Sequence, residues 1–210
     1  RFAVSLHRVP SDRRLRMSRR ELLAAAAPFA LGVACRAASN DPPRAPKFVR
    51  EWGSLGAEPG QFRTPISIAI DRRDSVYVTD FKNLRVQRFR TDGTFVAAFP
   101  VAADQPGGLA VDRDGNLYVA HWNQHKVIVY SPSGEVLRTL GKKGEADGEF
   151  LVPGGMAFTR EGNLLLADQG NGRVQKLRPD GTFLQKWGEH GAADGQFGIG
   201  RGVGARFRGP

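Results

Sequence analysis

The chain repeats itself, and that constrains its fold more than any single residue does. Aligned against itself, the 210-residue sequence gives a unit of 41 to 47 residues that occurs three times. Pro65, Pro106 and Pro153 mark the start of each copy. Each proline is followed by Ile68-Ala69-Ile70-Asp71, by Leu109-Ala110-Val111-Asp112 or by Met156-Ala157-Phe158-Thr159. After a short turn come Val76-Tyr77-Val78-Thr79-Asp80, Leu117-Tyr118-Val119-Ala120-His121 and Leu164-Leu165-Leu166-Ala167-Asp168. A third run follows at Val86-Gln87-Arg88-Phe89, Val127-Ile128-Val129-Tyr130 and Val174-Gln175-Lys176-Leu177. The turns Asp92-Gly93, Ser133-Gly134 and Asp180-Gly181 lead into a fourth run that ends at Phe99, Leu140 and Trp187.

Each unit therefore reads as four short strands joined by turns whose glycines tolerate positive φ. The first strand of each is nearly all apolar, as expected of a strand buried on both faces. A period of this length is that of propeller blades, and twenty-six glycines and thirteen prolines between short apolar runs agree with an all-β chain.

The pattern Pro-x-x-Ile-Ala-Ile-Asp, then Tyr-Val-Thr-Asp-x-x-Asn-x-Arg-Val-x-x-Phe, then Asp-Gly resembles the NHL repeat over about residues 47 to 197. The resemblance implies an all-β β-propeller of four-stranded blades. Its turn between second and third strands is matched by Asp80, Asn83 and Arg85 and by Asp168, Asn171 and Arg173. These read as structural: the Asp caps backbone N–H groups and pairs with the Arg across the turn. A fourth unit begins at Trp187-Gly188 and reaches Gln196-Phe197. The pattern then decays, with Gly200 where a proline is due and Arg206 where an aspartate is due. Closed rings of the family usually have about six blades. The expectation is an incomplete propeller of about three blades plus the start of a fourth, with residues 198–210 an irregular Gly/Arg-rich tail from truncation or a frame shift.

The formal charge of +10 raises the question of a nucleic-acid or membrane partner. Eleven Lys or Arg stand against three Asp or Glu in residues 1–50, a net of +8, which leaves +2 for all that follows. The basic character belongs to the leader. Within it, Met17-Ser18-Arg19-Arg20-Glu21-Leu22-Leu23, an apolar stretch to Ala34, and Cys35 follow the order of a signal peptide, too short to span a bilayer. Arg19 and Arg20 with the two leucines resemble a bacterial twin-arginine export signal. Cys35 after Gly32-Val33-Ala34 resembles a lipobox, with cleavage near Ala37 as the alternative. The expected organisation is an upstream extension at 1–16, a mostly disordered or helical signal segment at 17–40, a linker at 41–46 and blades at 47–197. The expected location is the periplasm, or the outer side of the cytoplasmic membrane through a lipidated Cys35. A single cysteine excludes an internal disulfide.

Propellers of this type engage partners through the turns between second and third strands, here Asp80–Leu84, His121–His125 and Asp168–Gly172. The loops Trp52–Thr64, Pro100–Gln105 and Gly141–Val152 lie beside them. The middle unit departs most, with His121-Trp122-Asn123-Gln124-His125-Lys126 where its neighbours have Asp-Phe-Lys-Asn-Leu-Arg and Asp-Gln-Gly-Asn-Gly-Arg. The candidate binding residues are Phe81, Lys82, His121, Trp122, Asn123, His125 and Gln169. On this reading an indole and two imidazoles reach the surface; the plainer alternative puts Trp122 in a crevice between blades with both histidines solvated.

Some propellers resembling this repeat are peptidyl-hydroxyglycine lyases, and the resemblance implies a zinc held by three converging histidines. The four histidines here, His7, His121, His125 and His190, form no repeat-related trio. No nucleophile elbow, phosphate loop or zinc-knuckle spacing occurs, and Asp112 and Asp114 fall in a surface turn. Animal NHL proteins bind RNA through a basic face, which a body of net +2 does not offer, although Arg85, Arg88 and Arg90 cluster. The sequence thus points to a scaffold for a protein, peptide or glycan, with no cofactor, no metal and no nucleic-acid partner. The alternative is a zinc-dependent lyase whose site other blades complete.

Overall fold

The computed structural model describes residues 47–101 and 105–197. The expected signal segment with Arg19, Arg20 and Cys35, the extension before it, the linker at 41–46 and the tail at 198–210 lie outside the described residues.

A short parallel pair, β1 (Ser54–Leu55) and β2 (Gln61–Phe62), precedes three four-stranded antiparallel sheets. The first sheet is β3 (Pro65–Ile70), β4 (Ser75–Asp80), β5 (Arg85–Arg90) and β6 (Phe95–Pro100). The second is β7 (Pro106–Val111), β8 (Leu117–His121), β9 (Lys126–Tyr130) and β10 (Val136–Leu140), and the third is β11 (Pro153–Phe158), β12 (Leu164–Asp168), β13 (Arg173–Leu177) and β14 (Phe183–Trp187). Each sheet keeps its strands in chain order. This is the meander expected for a blade.

Period-2 alternation decides how the blades stack. Tyr77, Val86 and Phe99 of blade 1 meet Leu109, Leu117, Val119, Ile128 and Tyr130 of blade 2 in one core. The intervening residues of blade 2, Ala110, Tyr118, Val127 and Val129, turn the other way onto Leu164, Leu166 and Leu177 of blade 3. Burial and then the Asp112 carboxylate push the Tyr118 phenol up to about 12. First strands lie side by side, β3 on β7 and β7 on β11. At Gly108 the approach is so close that a Cβ would run into the Gly154 carbonyl oxygen.

The expectation of a first strand buried on both faces holds for β7 but not for β3 or β11, where Gly155 and Ala157 are exposed. Ile66, Ile68 and Ile70 are 41%, 37% and 43% exposed, because among the described residues no strand packs on that side of β3.

The segment from Gly188 to Phe197 is not a new sheet. It closes through a parallel bridge between His190 and Phe197, as Lys143 and Phe150 do and as β1 and β2 do. All three segments share the pattern Gly-x-x-Gly-x-x-x-Gly-x-Phe. In the second, Gly141 sits at φ +71°, where a Cβ would enter the Phe150 ring, so glycine is required on both counts.

Candidate functional site

The turn after the second strand is built alike in all three blades. Phe81–Asn83 and Gln169–Asn171 each make one 3₁₀ turn and exit through a left-handed residue, Leu84 at φ +53° and Gly172 at φ +60°. Trp122 to His125 makes the equivalent turn, with His125 at φ +53°. Phe81, Trp122 and Gln169 therefore occupy one repeat position.

Beneath two of these turns lies a polar clamp. In blade 3 the buried Asp168 carboxylate accepts from the Leu151 N–H at 2.7 Å, Asn171 Nδ2 at 2.8 Å, Arg173 Nε at 2.8 Å and Gln175 Nε2 at 3.0 Å. Arg173 also donates to the carbonyls of Glu145, Ala146 and Glu149, and Asn171 to that of Gly144. The clamp pins the preceding loop onto the blade. Blade 1 repeats it: Asp80 takes the Arg63 and Thr64 N–H groups, Asn83 and Arg85, while Arg85 donates to the carbonyls of Ala57, Glu58 and Gln61. The structural role read for Asp80, Asn83, Arg85, Asp168, Asn171 and Arg173 is what the structure shows. It extends to Gln87 and Gln175, which the sequence reading missed, although both recur two residues after the arginine.

Among the described residues blade 2 shows no such clamp, and the connection before it is short. Only Val101–Gln105 separate β6 from β7, whereas residues 141–152 separate β10 from β11. His121, Gln124, Lys126 and Ile128 stand where the clamp residues would be.

This corrects the placement expected for the histidines. His121 is fully buried, its Nε2 3.3 Å from the Tyr130 hydroxyl, so it is neither on the surface nor solvated. His125 is half-buried, and its Nδ1 accepts the Val152 N–H at 3.0 Å, tying the turn to the next loop. Trp122 is half-buried between blades: its ring lies 5.3 Å from Phe81, tilted by 55°, and its N–H is buried beside Gly107 with no hydrogen-bond partner among the described residues. Asn123 is exposed.

Four of the seven sequence candidates come together around a cleft of about 760 Å³. Blade 1 gives Thr64, Ile66, Ser67, Phe81 and Lys82; blade 2 gives Gly108 and Trp122; blade 3 and the loop before it give Val152, Gly154, Gly155 and Gln169. His121, Asn123 and His125 are not in this lining. Each first strand is irregular here, its ladder slipping between Pro65 and Ser67, between Pro106 and Leu109, and between Pro153 and Met156. Such bulges turn backbone groups out of the sheet. At the opposite end of the blades, a cavity of about 610 Å³ is lined by Arg72, Arg113, Arg138 and Arg160 and by as many carboxylates, Asp71, Asp112, Asp114 and Glu161. Asp112 there accepts from the Asp114 and Asn116 N–H groups, as a turn residue does. Among the described residues no three of His, Cys, Asp and Glu gather as a metal site.

Four-stranded meander blades whose first strands converge define an all-β propeller architecture. Within it, residues 62–89 match the NHL repeat and residues 96–146 match the SMP-30/Gluconolactonase/LRE-like region. Protein brain tumor of Drosophila melanogaster is 27% identical over 99 residues, which cover 43% of this chain and 10% of that protein. Among solved structures, hydrazine synthase of Kuenenia stuttgartiensis aligns at TM-score 0.50 and 16% identity over 64% of this chain and 37% of that one. Virginiamycin B lyase from Staphylococcus aureus aligns at TM-score 0.48 and 14% identity over 60% of this chain and 43% of that one. The chain thus spans less than half of each of these relatives, and the likeness to hydrazine synthase is one of fold.

Proposed function

We propose that this chain is an exported interaction scaffold that binds a protein, peptide or glycan in the cleft at its turn end, without catalysis. The observation that carries the reading is the contrast between a constant frame and a variable lining. The turns repeat closely and the clamp recurs in two blades, yet the turn position that faces the cleft from every blade holds Phe81, Trp122 and Gln169. A frame held rigid beneath dissimilar side chains is what selective binding requires. The lining offers aromatic area, hydroxyls, an amide and one amine, and it includes no His, Cys, Asp or Glu to serve as acid, base or metal ligand. Export rests on the leader at 17–40, and membrane attachment on acylation of Cys35.

The test is to display peptide and glycan arrays to the purified chain and to its Trp122→Ala variant. A ligand that the variant loses supports the reading. Stoichiometric zinc in the parent protein, with cleavage of a peptidyl-hydroxyglycine substrate, would replace the scaffold by the lyase. Globomycin should retard processing if Cys35 is acylated; unchanged processing would remove the lipid anchor.

A further inference from the structure

Resting on the cleft reading, we infer the class of ligand: the end of a peptide chain, with an apolar last residue and a free C-terminal carboxylate. Charge comes first. Lys82 is the single ionisable residue in the lining, it is exposed, and no salt bridge engages it among the described residues. The cavity at the other end of the blades holds four guanidinium groups against four carboxylates and so carries no formal charge of its own. The turn-end cleft pairs an uncompensated cation with apolar walls, and low-dielectric walls strengthen its attraction for an anion.

Shape and backbone chemistry narrow the anion. The tilted rings of Phe81 and Trp122 offer an apolar seat one step along the turn from Lys82. A last side chain on the rings would leave its own carboxylate within reach of a flexible lysine. Behind the seat, Ile66, Gly108, Gly154 and Gly155 lie at the slipped ladders of three blades, and the exposed Gly155 brings its backbone to the surface there. Peptide groups of this kind complement the amides of another peptide. A volume of about 760 Å³ lies in the range of ligand pockets, roughly 300 to 1,000 Å³, which suits a chain end rather than a strand running through.

The probes are N-acetylated tetrapeptide pools ending in Leu, Ile or Phe, made as free acids and as C-terminal amides. N-acetylphenylalanine and a neutral glucan hexasaccharide complete the set, and binding is read by titration calorimetry on the full chain. The free acids should bind about fivefold more tightly than the amides, the size of an exposed ion pair. Lys82→Met should abolish that difference, whereas Lys82→Arg should keep most of it. Trp122→Phe should weaken both peptide forms and leave their ratio intact. Acids and amides bound equally, with Lys82→Met silent, or a hexasaccharide bound in preference to both, would sink this inference while the cleft reading stands. N-acetylphenylalanine binding as tightly as the peptides would overturn the peptide assignment in favour of small free acids. No heat from any probe would overturn both readings.

Discussion

Removing Arg173 should cost far more than removing Lys126, which occupies its position in the preceding blade. Arg173→Met takes the cation from a carboxylate, Asp168, that has no solvent exposure, and it releases three loop carbonyls. Breaking a buried pair from one side costs about 3 to 5 kcal/mol, because the remaining charge stays desolvated. Rehydration of the loop carbonyls keeps the total within that range rather than above it. The same change at Arg85, whose side chain is 15% exposed, should cost about 2 to 3 kcal/mol. Lys126→Met in the clampless blade should stay within about 0.5 kcal/mol. Urea unfolding followed by far-ultraviolet circular dichroism distinguishes these. With a slope near 2 kcal/mol per molar, Arg173→Met shifts the midpoint by roughly 2 M and Lys126→Met by a few tenths. Equal midpoints for Arg173→Met and Lys126→Met would refute the clamp as the device that holds the loops.

Leu84→Gly should raise stability by about 0.5 to 1 kcal/mol, since Leu84 is held at φ +53° where blade 3 has Gly172, and thermal melting would register a rise of a few degrees. Gly108→Ala should cost over about 3 kcal/mol or prevent folding, because its Cβ meets backbone and not a side chain that can move; a urea midpoint near that of the parent would contradict the blade contact. The Tyr118 phenol, raised to about 12 from an ordinary 10, stays protonated in the folded chain at a pH where the unfolded chain has lost the proton. Its contribution is therefore complete below about pH 10 and is lost as pH rises towards 12, and Tyr118→Phe should flatten that part of the stability profile.

The strands were legible because period-2 patterning and Asp-Gly turns fix both register and direction, and the four runs read in each unit correspond to the four strands of each sheet. The clamp was half legible. Asp, Asn and Arg stood out as a motif, but Gln87 and Gln175 look like ordinary strand residues until the loop they hold is seen against them. The histidines misled for a related reason. His121 departs from the repeat at a buried position, in the blade whose preceding connection is short. The spacing held that signal, 41 residues from Pro65 to Pro106 against 47 from Pro106 to Pro153, yet only contacts show what the missing residues would have done. The cleft was legible as a set of turn positions, whereas the slipped ladders behind it were not, since a bulge is set by pairing between strands.

Every clamp bond from Arg173, Asn171 and Gln175 to the loop spans 24 to 28 residues, and none reaches back beyond Gly144. The indivisible piece of this architecture is therefore a loop together with the blade that follows it, and its natural boundary is the glycine at the start of the loop, not the proline that opens the sheet. A gene duplication cut at the proline would separate an arginine from its carbonyls and yield a blade that must discard its clamp. The middle blade follows a connection of five residues and carries an imidazole at the position where its neighbours carry the carboxylate.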